Sequence, residues 1–324
     1  MNILVTGGAG FIGSHACEQL LERGHGVTAL DNLDPYYSPE SKRQNLAAAQ
    51  ANPNFRLVEG DYGDRLAVTK LLQAGRYDVV LHLAAQAGVR PSIQDPLKYE
   101  RVNVGNLVSM MEALRDQGPR QIVAASTSAV YGNTTPVPFR EDAPCLQPLS
   151  PYAATKRAAE IFLATYAQLH GFKVIIVRPF TVYGPRQRPD MAIASFARKI
   201  LLGQTITLFG DGSSARDYTY VSDIVGGLLD AIELFPVDFG IYNLGGSSPV
   251  TLSELVAALE KATGKKARIE RAPMQAGDME RTYADITKAA EELGYAPKVT
   301  LDEGLAKTIE WVKGELRREG HTLL

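Results

Sequence analysis

The chain has 324 residues, 45% of them hydrophobic, and a formal net charge of −2. A near-neutral charge without a basic stripe argues against nucleic acid as a partner, and no apolar run reaches the roughly 18 residues that a bilayer span needs, so we expect no membrane partner. Cys17 and Cys145 are the only cysteines, which predicts a cytoplasmic protein with neither a disulfide framework nor a metal site.

The N-terminal segment combines a short apolar run, 2–6, with a cluster of glycines. Such a run is typical of a buried parallel strand, and it begins the fold at once, which predicts no signal peptide. Gly7, Gly10 and Gly13 crowd the turn into a helix that we predict from about residue 14 to 23. Glycines at this spacing let the backbone approach a pyrophosphate at the helix N-terminus, although they are also compatible with an ordinary turn.

An acidic residue ends the second predicted strand, 27–31. Asp31 follows the glycines by roughly 20 residues, the separation at which a dinucleotide site places an acceptor for ribose hydroxyls. Its carboxylate would repel the 2′-phosphate of NADP, so the sequence predicts NAD as the cofactor. The strand, the glycines, the helix and the acid together favour a dinucleotide site over an ordinary turn.

The remainder of the first half alternates strands and helices. Strands are predicted at 55–59, 78–82, 121–126 and 173–178, and the clearest helices at 64–74, 97–117 and 151–170. This alternation predicts an α/β fold with a Rossmann-type doubly wound parallel sheet.

After residue 179 the alternation gives way to loops and separated elements. Helices are predicted at 190–202, 222–234, 251–263, 285–293 and 301–318, and strands at 205–209 and near 240–244. We predict an NAD-binding domain of residues 1–178 plus about 215–245, and a smaller, discontinuous α/β substrate-binding lobe of 179–214 and 246–324. A ligand is expected in the crevice between them, at the carboxyl ends of the strands.

A tyrosine and a lysine four residues apart, Tyr152 and Lys156, carry the predicted chemistry. Both lie on one face of a helix, so the ammonium group is expected to lower the phenol pKa below its ordinary value of about 10. A phenolate near neutral pH is suited to take the proton of a sugar hydroxyl. Thr127 adds a hydroxyl after strand 121–126. Tyr-x-x-x-Lys is common in helices by chance. It indicates a catalytic pair here because the same chain contains a predicted dinucleotide site.

These motifs make the chain similar, nearly from end to end, to the extended short-chain dehydrogenase/reductase family, and within it to the nucleotide-sugar epimerases. It looks most like the UDP-glucuronate 4-epimerases in four stretches, 31–37, 83–90, 180–191 and 273–278. The resemblance implies that Tyr152 deprotonates the sugar 4-hydroxyl while C4 gives a hydride to bound NAD. Thr127 would hydrogen-bond the same oxygen, and Lys156 would hold the nicotinamide ribose. The 4-keto sugar would then rotate and take the hydride back on its other face.

The expected cofactor site extends over the ends of several strands. Asn32 is expected to assist Asp31, and Asp61 to accept a hydrogen bond from the adenine amino group. Lys42 and Arg43 would contact the adenosine ribose as a basic pair or lie on a solvated helix face, which is the more common case, and they are left out of the site. The predicted cofactor contacts are Gly7, Gly10, Phe11, Ile12, Gly13, Asp31, Asn32, Asp61, Tyr62, Leu83, Ala84, Ala85, Tyr152, Lys156 and Pro179.

Two positions argue against related reactions. In the 4,6-dehydratases that the chain resembles, an Asp-Glu pair fills the positions of Ser128 and Ala129, and in UDP-glucuronate decarboxylases a Glu matches Ala129. An alanine cannot transfer protons, so both activities are disfavoured. The Ser128 hydroxyl is instead suited to donate to a carboxylate.

A 4-keto glucuronate is a β-keto acid, which loses CO₂ when the bond to its carboxylate lies parallel to the carbonyl π system. An epimerase must therefore hold the carboxylate away from that geometry. The resemblance points to Thr127, Ser128, Thr181 and Arg188 for this role, with Arg186 as a competitor. An arginine fork suits a carboxylate. The alternative is that these arginines make surface ion pairs.

The nucleotide end of the substrate is assigned from the same resemblance. Arg216 is expected to contact the diphosphate, and Gln275 and Asp278 to lie around the uridine ribose. Phe209 would line the uracil pocket or serve as an ordinary core residue of its strand. Arg90 would reach the diphosphate or the sugar, or make a loop salt bridge.

A homodimer is expected by analogy, because the predicted helices 97–117 and 151–170 correspond to those that pair in family dimers. Ala153, Ala154, Ala158 and Ala159 would allow close helix approach. Two alternatives to UDP-glucuronate epimerisation stay open. One is an epimerase of UDP-glucose and UDP-galactose. The other is a silent NAD-sensing module, which the full set of threonine, tyrosine and lysine argues against.

Overall fold

The apolar runs of the first half of the chain form parallel strands in the computed structural model, which describes residues 1–322. The strands of the described residues, from both halves of the chain, are β1 (Asn2–Thr6), β2 (Gly26–Asp31), β3 (Phe55–Glu59), β4 (Val79–His82), β5 (Gln121–Ala125), β6 (Lys173–Pro179), β7 (Thr181–Tyr183), β8 (Thr205–Phe209), β9 (Ala215–Tyr220), β10 (Phe239–Leu244), β11 (Pro249–Thr251) and β12 (Arg268–Ala272). Seven of them form one parallel sheet in the order β10-β6-β5-β4-β1-β2-β3. The chain reverses its direction of winding between β1 and β4, where a doubly wound sheet opens a crevice.

Helices cover both faces of this sheet. They are α1 (Phe11–Glu22), α2 (Pro39–Asn45), α3 (Ala47–Gln50), α4 (Arg65–Ala74), α5 (Val89–Gln94), α6 (Pro96–Glu100), α7 (Asn106–Gln117), α8 (Pro151–His170), α9 (Ala192–Leu201), α10 (Val221–Leu234), α11 (Leu252–Thr263), α12 (Thr287–Leu293) and α13 (Leu301–Arg318). Successive strand residues point to opposite faces, so Ile3 and Val5 pack on the side of α1 and α10, whereas Leu4 packs on the side of α4, α7 and α8. Across residues 1–322, none of the helices combines the length and apolar character that crossing a membrane requires.

The second half adds two small sheets. β7, β9 and β11 form a three-stranded sheet, and β8 pairs with β12. β10 is an edge strand of the large sheet, whereas β9 lies outside that sheet. The division into two domains stays a prediction.

Local geometry changes several predicted boundaries. α1 begins at Phe11 because Gly10 is already its extended N-cap, three residues earlier than predicted. The helix predicted over 97–117 is α6 and α7 joined by a π-helical turn, Arg101–Gly105. There the Asn103 amide donates to the Gln86 carbonyl (3.0 Å) and the Thr155 hydroxyl (3.1 Å). Four strands were not predicted. β7 and β11 have three residues each, too few to show a period, and β9 and β12 contain charged residues in place of an apolar run.

Candidate active site

A cleft of about 490 Å³ opens at the carboxyl ends of the parallel strands. Its volume lies within the roughly 300–1,000 Å³ typical of small-molecule sites. Among the predicted site residues, those that line it are Gly7, Gly10, Phe11, Ile12, Gly13, Asp31, Asn32, Asp61, Tyr62, Leu83, Ala84, Ala85, Thr127, Ser128, Tyr152, Lys156, Pro179, Thr181, Arg188, Arg216 and Asp278. Three predicted residues, Arg90, Phe209 and Gln275, lie outside this lining.

The glycine turn between β1 and α1 leaves no room for side chains. An added Cβ at Gly13 would overlap the Gly7 carbonyl oxygen, and one at Gly7 would lie 2.7 Å from the Ala84 amide nitrogen. Gly7 also has a φ of 74°, which favours glycine. The backbone therefore forms a bare concave surface at the N-terminus of α1, which suits the pyrophosphate of a dinucleotide.

The acid that ends β2 is held by the backbone. Asp31 accepts hydrogen bonds from the amides of Ala9 (3.0 Å) and Leu33 (2.8 Å), which orient its carboxylate in the cleft lining. Each oxygen keeps a further lone pair for a ribose hydroxyl. Asn32 donates to Asp61 at 3.2 Å, so these two cleft residues support one another. The glycines and Asp31 together fit a dinucleotide at this end of the cleft.

The predicted catalytic side chains meet at the middle of the cleft. Ser150 caps α8, with Pro151 in its first turn, so Tyr152 and Lys156 lie in the first two turns of that helix. Thr127 follows β5 and caps the short 3₁₀ turn Ser128–Tyr131. The turn after β5 and the start of α8 thus place two hydroxyls and an ammonium group in one cavity.

The electrostatics of Tyr152 differ from the sequence expectation. Burial raises its pKa, and the groups that oppose this effect are the Thr127 hydroxyl and the Arg188 charge. The prediction that Lys156 brings the pKa of this phenol below 10 is wrong. Burial lowers the pKa of Lys156 itself to about 8, against the opposing charge of Glu160. Its ammonium group donates to the Ala125 carbonyl.

The two arginines that competed for the carboxylate role are separated by the fold. Arg188 lines the cleft, and its guanidinium Nε and Nη2 donate to the two carboxylate oxygens of Asp190, both at 3.0 Å. Arg186 has a φ of 65° and pairs with Glu18 at 2.8 Å, outside the cleft lining. Arg188 therefore remains the candidate, and Arg186 makes the alternative ion pair.

At the nucleotide end, Arg216 and Asp278 line the cleft and the other candidates flank it. Arg90 pairs with Asp278 at 3.2 Å and lies 4.4 Å from the centre of the Phe209 ring. Of the two roles expected for Arg90, a ligand contact or a salt bridge, the structure shows the salt bridge. Phe209 packs under the guanidinium group of Arg90. The carbonyl of Gln275 accepts from the Asp278 amide at 3.4 Å, so this residue lies in the same turn as a lining residue.

Lys42 and Tyr37 are among the lining residues that were not predicted as site residues. Lys42 is 7% exposed, lines the cleft and donates to the Asp34 carbonyl at 2.9 Å, so its assignment to a solvated face is wrong. Arg43 does lie on the exposed side, where it pairs with Glu59. The Tyr37 hydroxyl is buried and has no partner within residues 1–322. The sequence feature that could have indicated both Lys42 and Tyr37 is the short loop after Asp31, because it brings α2 back over the cleft.

Comparisons with known proteins agree with this geometry. The model of the NAD dependent epimerase/dehydratase family matches residues 3–245. The UDP-glucuronate 4-epimerase of Thermodesulfobacterium geofontis is 40% identical over 311 residues, covering 96% of this chain and 95% of that protein. A UDP-glucuronic acid 4-epimerase structure from Bacillus cereus, in complex with UDP-glucuronic acid and NAD, is 35% identical, with a TM-score of 0.92 over 97% of this chain and 100% of that one.

A UDP-glucose 4-epimerase structure from Thermotoga maritima, with UDP-glucose, is 36% identical, with a TM-score of 0.89 over 98% of this chain and 100% of that one. The predicted α/β fold, the nucleotide-sugar epimerase class and NAD as the cofactor are confirmed. Since the family model matches most of the chain and the relatives align with nearly all of it, this protein belongs to the NAD dependent epimerase/dehydratase family.

Proposed function

We propose that this protein epimerises UDP-glucuronate to UDP-galacturonate at C4, through a 4-keto sugar. The observation that carries the proposal is Arg188, a cation in the cleft close enough to Tyr152 to influence the phenol pKa. The hydroxyls of Thr127, Ser128 and Thr181 line the same cleft. A cation with several hydroxyl donors suits the carboxylate of an acidic sugar. The UDP-glucuronate 4-epimerases among the relatives support this choice of substrate.

Tyr152 is the proposed base for the sugar 4-hydroxyl. Tyr152 must be a phenolate to accept that proton. Burial disfavours the phenolate by raising the phenol pKa, whereas the Thr127 hydroxyl and the Arg188 charge stabilise it. Lys156 is the proposed contact of the nicotinamide ribose, since its ammonium group lies in the lining beside Tyr152. Bound NAD supplies the acceptor for the hydride of C4 and returns it to the opposite face.

The same cleft contains little that would promote loss of CO₂. Ser128 and Ala129 line it where dehydratases and decarboxylases carry acids, so no carboxyl group stands at these positions for general acid–base catalysis. Arg216 and Asp278 are the proposed contacts of the diphosphate and the uridine ribose, and Arg90, Phe209 and Gln275 would contribute from the rim of the cleft.

A neutral-sugar epimerase is the second candidate. The ion pair of Arg188 with Asp190 favours this candidate, because Asp190 neutralises the positive charge that would attract a substrate carboxylate. The likeness to the UDP-glucose 4-epimerase of Thermotoga maritima points the same way.

Incubation of the purified protein with UDP-glucuronate and no added cofactor, followed by NMR of the sugar, tests the proposal. A mixture with UDP-galacturonate, without CO₂ release or net NADH, is the expected result. If UDP-glucuronate is untouched even with added NAD while UDP-galactose and UDP-glucose interconvert, the second candidate holds.

We also propose a homodimer through α8 and the segment 96–117. Ala153 and Ala159 are buried within the chain, so they cannot make the close contact expected of them. Ile161, Phe162 and Leu169 instead expose apolar surface on α8. Sedimentation at micromolar protein should show a dimer, and a single species near 35 kDa would rule it out. The predicted cytoplasmic location is supported by the unpaired, buried thiols of Cys17 and Cys145.

A further inference from the structure

Arg188 is held by residues from two distant segments. Asp190 receives hydrogen bonds from Nε and Nη2, and the guanidinium carbon lies 5.6 Å from the centre of the Tyr36 ring. The Tyr36 hydroxyl donates to the same Asp190 carboxylate at 3.3 Å. The three side chains thus form a closed arrangement, which we call the Arg188 clamp (Tyr36, Arg188 and Asp190).

The clamp leaves one edge of the guanidinium group free. Within residues 1–322, Arg188 donates only through Nε and Nη2, and Nη1 makes no hydrogen bond. The arginine lines the cleft, whereas Asp190 does not, and the arginine side chain is 19% exposed. The Nη1–Nη2 edge is therefore the part that a ligand in the cleft can reach. A second carboxylate can bind that edge with two parallel hydrogen bonds while Asp190 keeps the first.

The loop that brings Tyr36 to the clamp is itself well anchored. Asp34 accepts from the Tyr36 amide at 2.9 Å, and Asn32 accepts from the Asp34 amide at 3.1 Å. Lys98 pairs with the Asp34 carboxylate at 3.2 Å. Side chains that bond to the backbone two residues ahead fix a turn in one conformation. Tyr36 is therefore a fixed support for Arg188.

We propose that Tyr36 and Asp190 are positioning residues that aim the free edge of Arg188 at the carboxylate of an acidic sugar. The proposal rests on the proposed function, because it requires Arg188 to bind that carboxylate. A long arginine side chain loses much rotational freedom when it binds, and an arginine that is already oriented loses less. The clamp would thus strengthen binding of the acid and keep its carboxylate away from the geometry that releases CO₂.

Asp190→Asn and Tyr36→Phe test the clamp. Asparagine keeps the size of the side chain but removes its charge, and phenylalanine keeps the ring under Arg188 but removes the hydroxyl. For each variant we would measure kcat and KM with UDP-glucuronate, the CO₂ released per sugar epimerised, and the thermal midpoint. The expected result is a fall in kcat/KM of roughly tenfold for Asp190→Asn and less for Tyr36→Phe, with more CO₂ per turnover in both.

Two further variants serve as controls: Glu18→Gln, which breaks the Arg186–Glu18 ion pair, and Arg188→Ala. Glu18→Gln breaks the matched pair with Arg186, outside the cleft lining, and should change neither kcat/KM nor CO₂ release. In an Arg188→Ala background, Asp190→Asn should have no further effect on either quantity, because the clamp acts through the arginine. A purely structural role would instead lower the thermal midpoint and leave the CO₂ ratio unchanged.

Two failures are distinguishable. If Arg188→Ala cripples turnover of UDP-glucuronate but Asp190→Asn and Tyr36→Phe match the unmodified protein, the clamp is wrong and the proposed function stands. If Arg188→Ala leaves that turnover unchanged, the carboxylate role is wrong and the clamp falls with it. An increase in kcat/KM for Asp190→Asn would also overturn the clamp, since it would mean that Asp190 competes with the substrate.

Discussion

Arg178 donates to both carboxylate oxygens of Glu160, at 2.9 and 2.8 Å, and both side chains are 1% exposed. The pair ties β6 to α8, the helix that carries Tyr152 and Lys156. Burial opposes the charge of Arg178, but the ion pair outweighs it and raises the arginine pKa. Burial likewise opposes the Glu160 charge, and the hydrogen bonds from Arg178 lower the carboxyl pKa. Both groups are therefore charged in the interior and depend on each other.

Glu160→Gln should destabilise the protein by about 3–5 kcal/mol, because it leaves a buried arginine charge without its partner. Chemical denaturation at fixed protein and NAD concentrations measures the change. Arg157→Gln is the matched control, since Arg157 pairs with the same carboxylate but its side chain is 27% exposed, and it should cost under about 1 kcal/mol. Equal free energies of unfolding for the two variants would contradict the importance of the buried pair.

Tyr152→Phe should reduce kcat by roughly 10²–10⁴-fold, since the phenol oxygen is the proposed base. NAD should remain bound, because the glycine turn and Asp31 are untouched, and the nucleotide released on denaturation reports it. Tyr99→Phe is the control, as its ring lies 6.3 Å from that of Tyr152 and its hydroxyl donates to the Ala87 carbonyl. Retained turnover in Tyr152→Phe would remove this residue from the reaction.

Because of Lys156, the free energy of unfolding should depend on pH in the alkaline range. Its pKa is lowered from 10.5 to about 8 by burial, so between these values the unfolded chain binds more protons than the folded one. Stability should therefore rise with pH across that window, by on the order of 3 kcal/mol, as the cost of burying the charge disappears. The cost is fully present below pH 8. The measurement is the free energy of unfolding of the unmodified protein minus that of Lys156→Met, which should increase as the pH rises from 8 to 10.5. A difference that stays constant over this range would exclude the lowered pKa of Lys156.

Gly13→Ala should abolish retention of NAD, because the added methyl group would overlap the backbone of Gly7 at the turn. Gly314→Ala in α13 is the matched control, since a Cβ there meets nothing within 4 Å. It should leave NAD binding unchanged and stabilise the helix by about 0.5–1 kcal/mol. NAD content after gel filtration distinguishes the two variants. Normal NAD content in Gly13→Ala would show that the turn can open without losing the cofactor.

Features of this protein that depend on residues close together in the chain can be predicted from the sequence alone. Gly7, Gly10 and Gly13 predict the bare turn because their spacing and lack of side chains are local properties. Tyr152 and Lys156 share a helix face for the same reason, and the apolar runs predict the parallel sheet. The glycine turn lies within one strand–turn–helix unit, the Tyr152–Lys156 pair lies within one helix, and each strand is indicated by its own apolar run. These predictions therefore needed no knowledge of distant contacts.

Contacts between segments far apart in the chain became evident only in the folded structure. Arg186 and Arg188 are two residues apart, yet one pairs with Glu18 and the other enters the cleft, because the left-handed backbone at Arg186 separates their side chains. The phenol pKa likewise depends on how deeply packing buries Tyr152. Tyr36 reaches Asp190 across 154 positions of sequence. Burial and long-range pairing follow from the folded packing of the whole chain, and no local pattern encodes them.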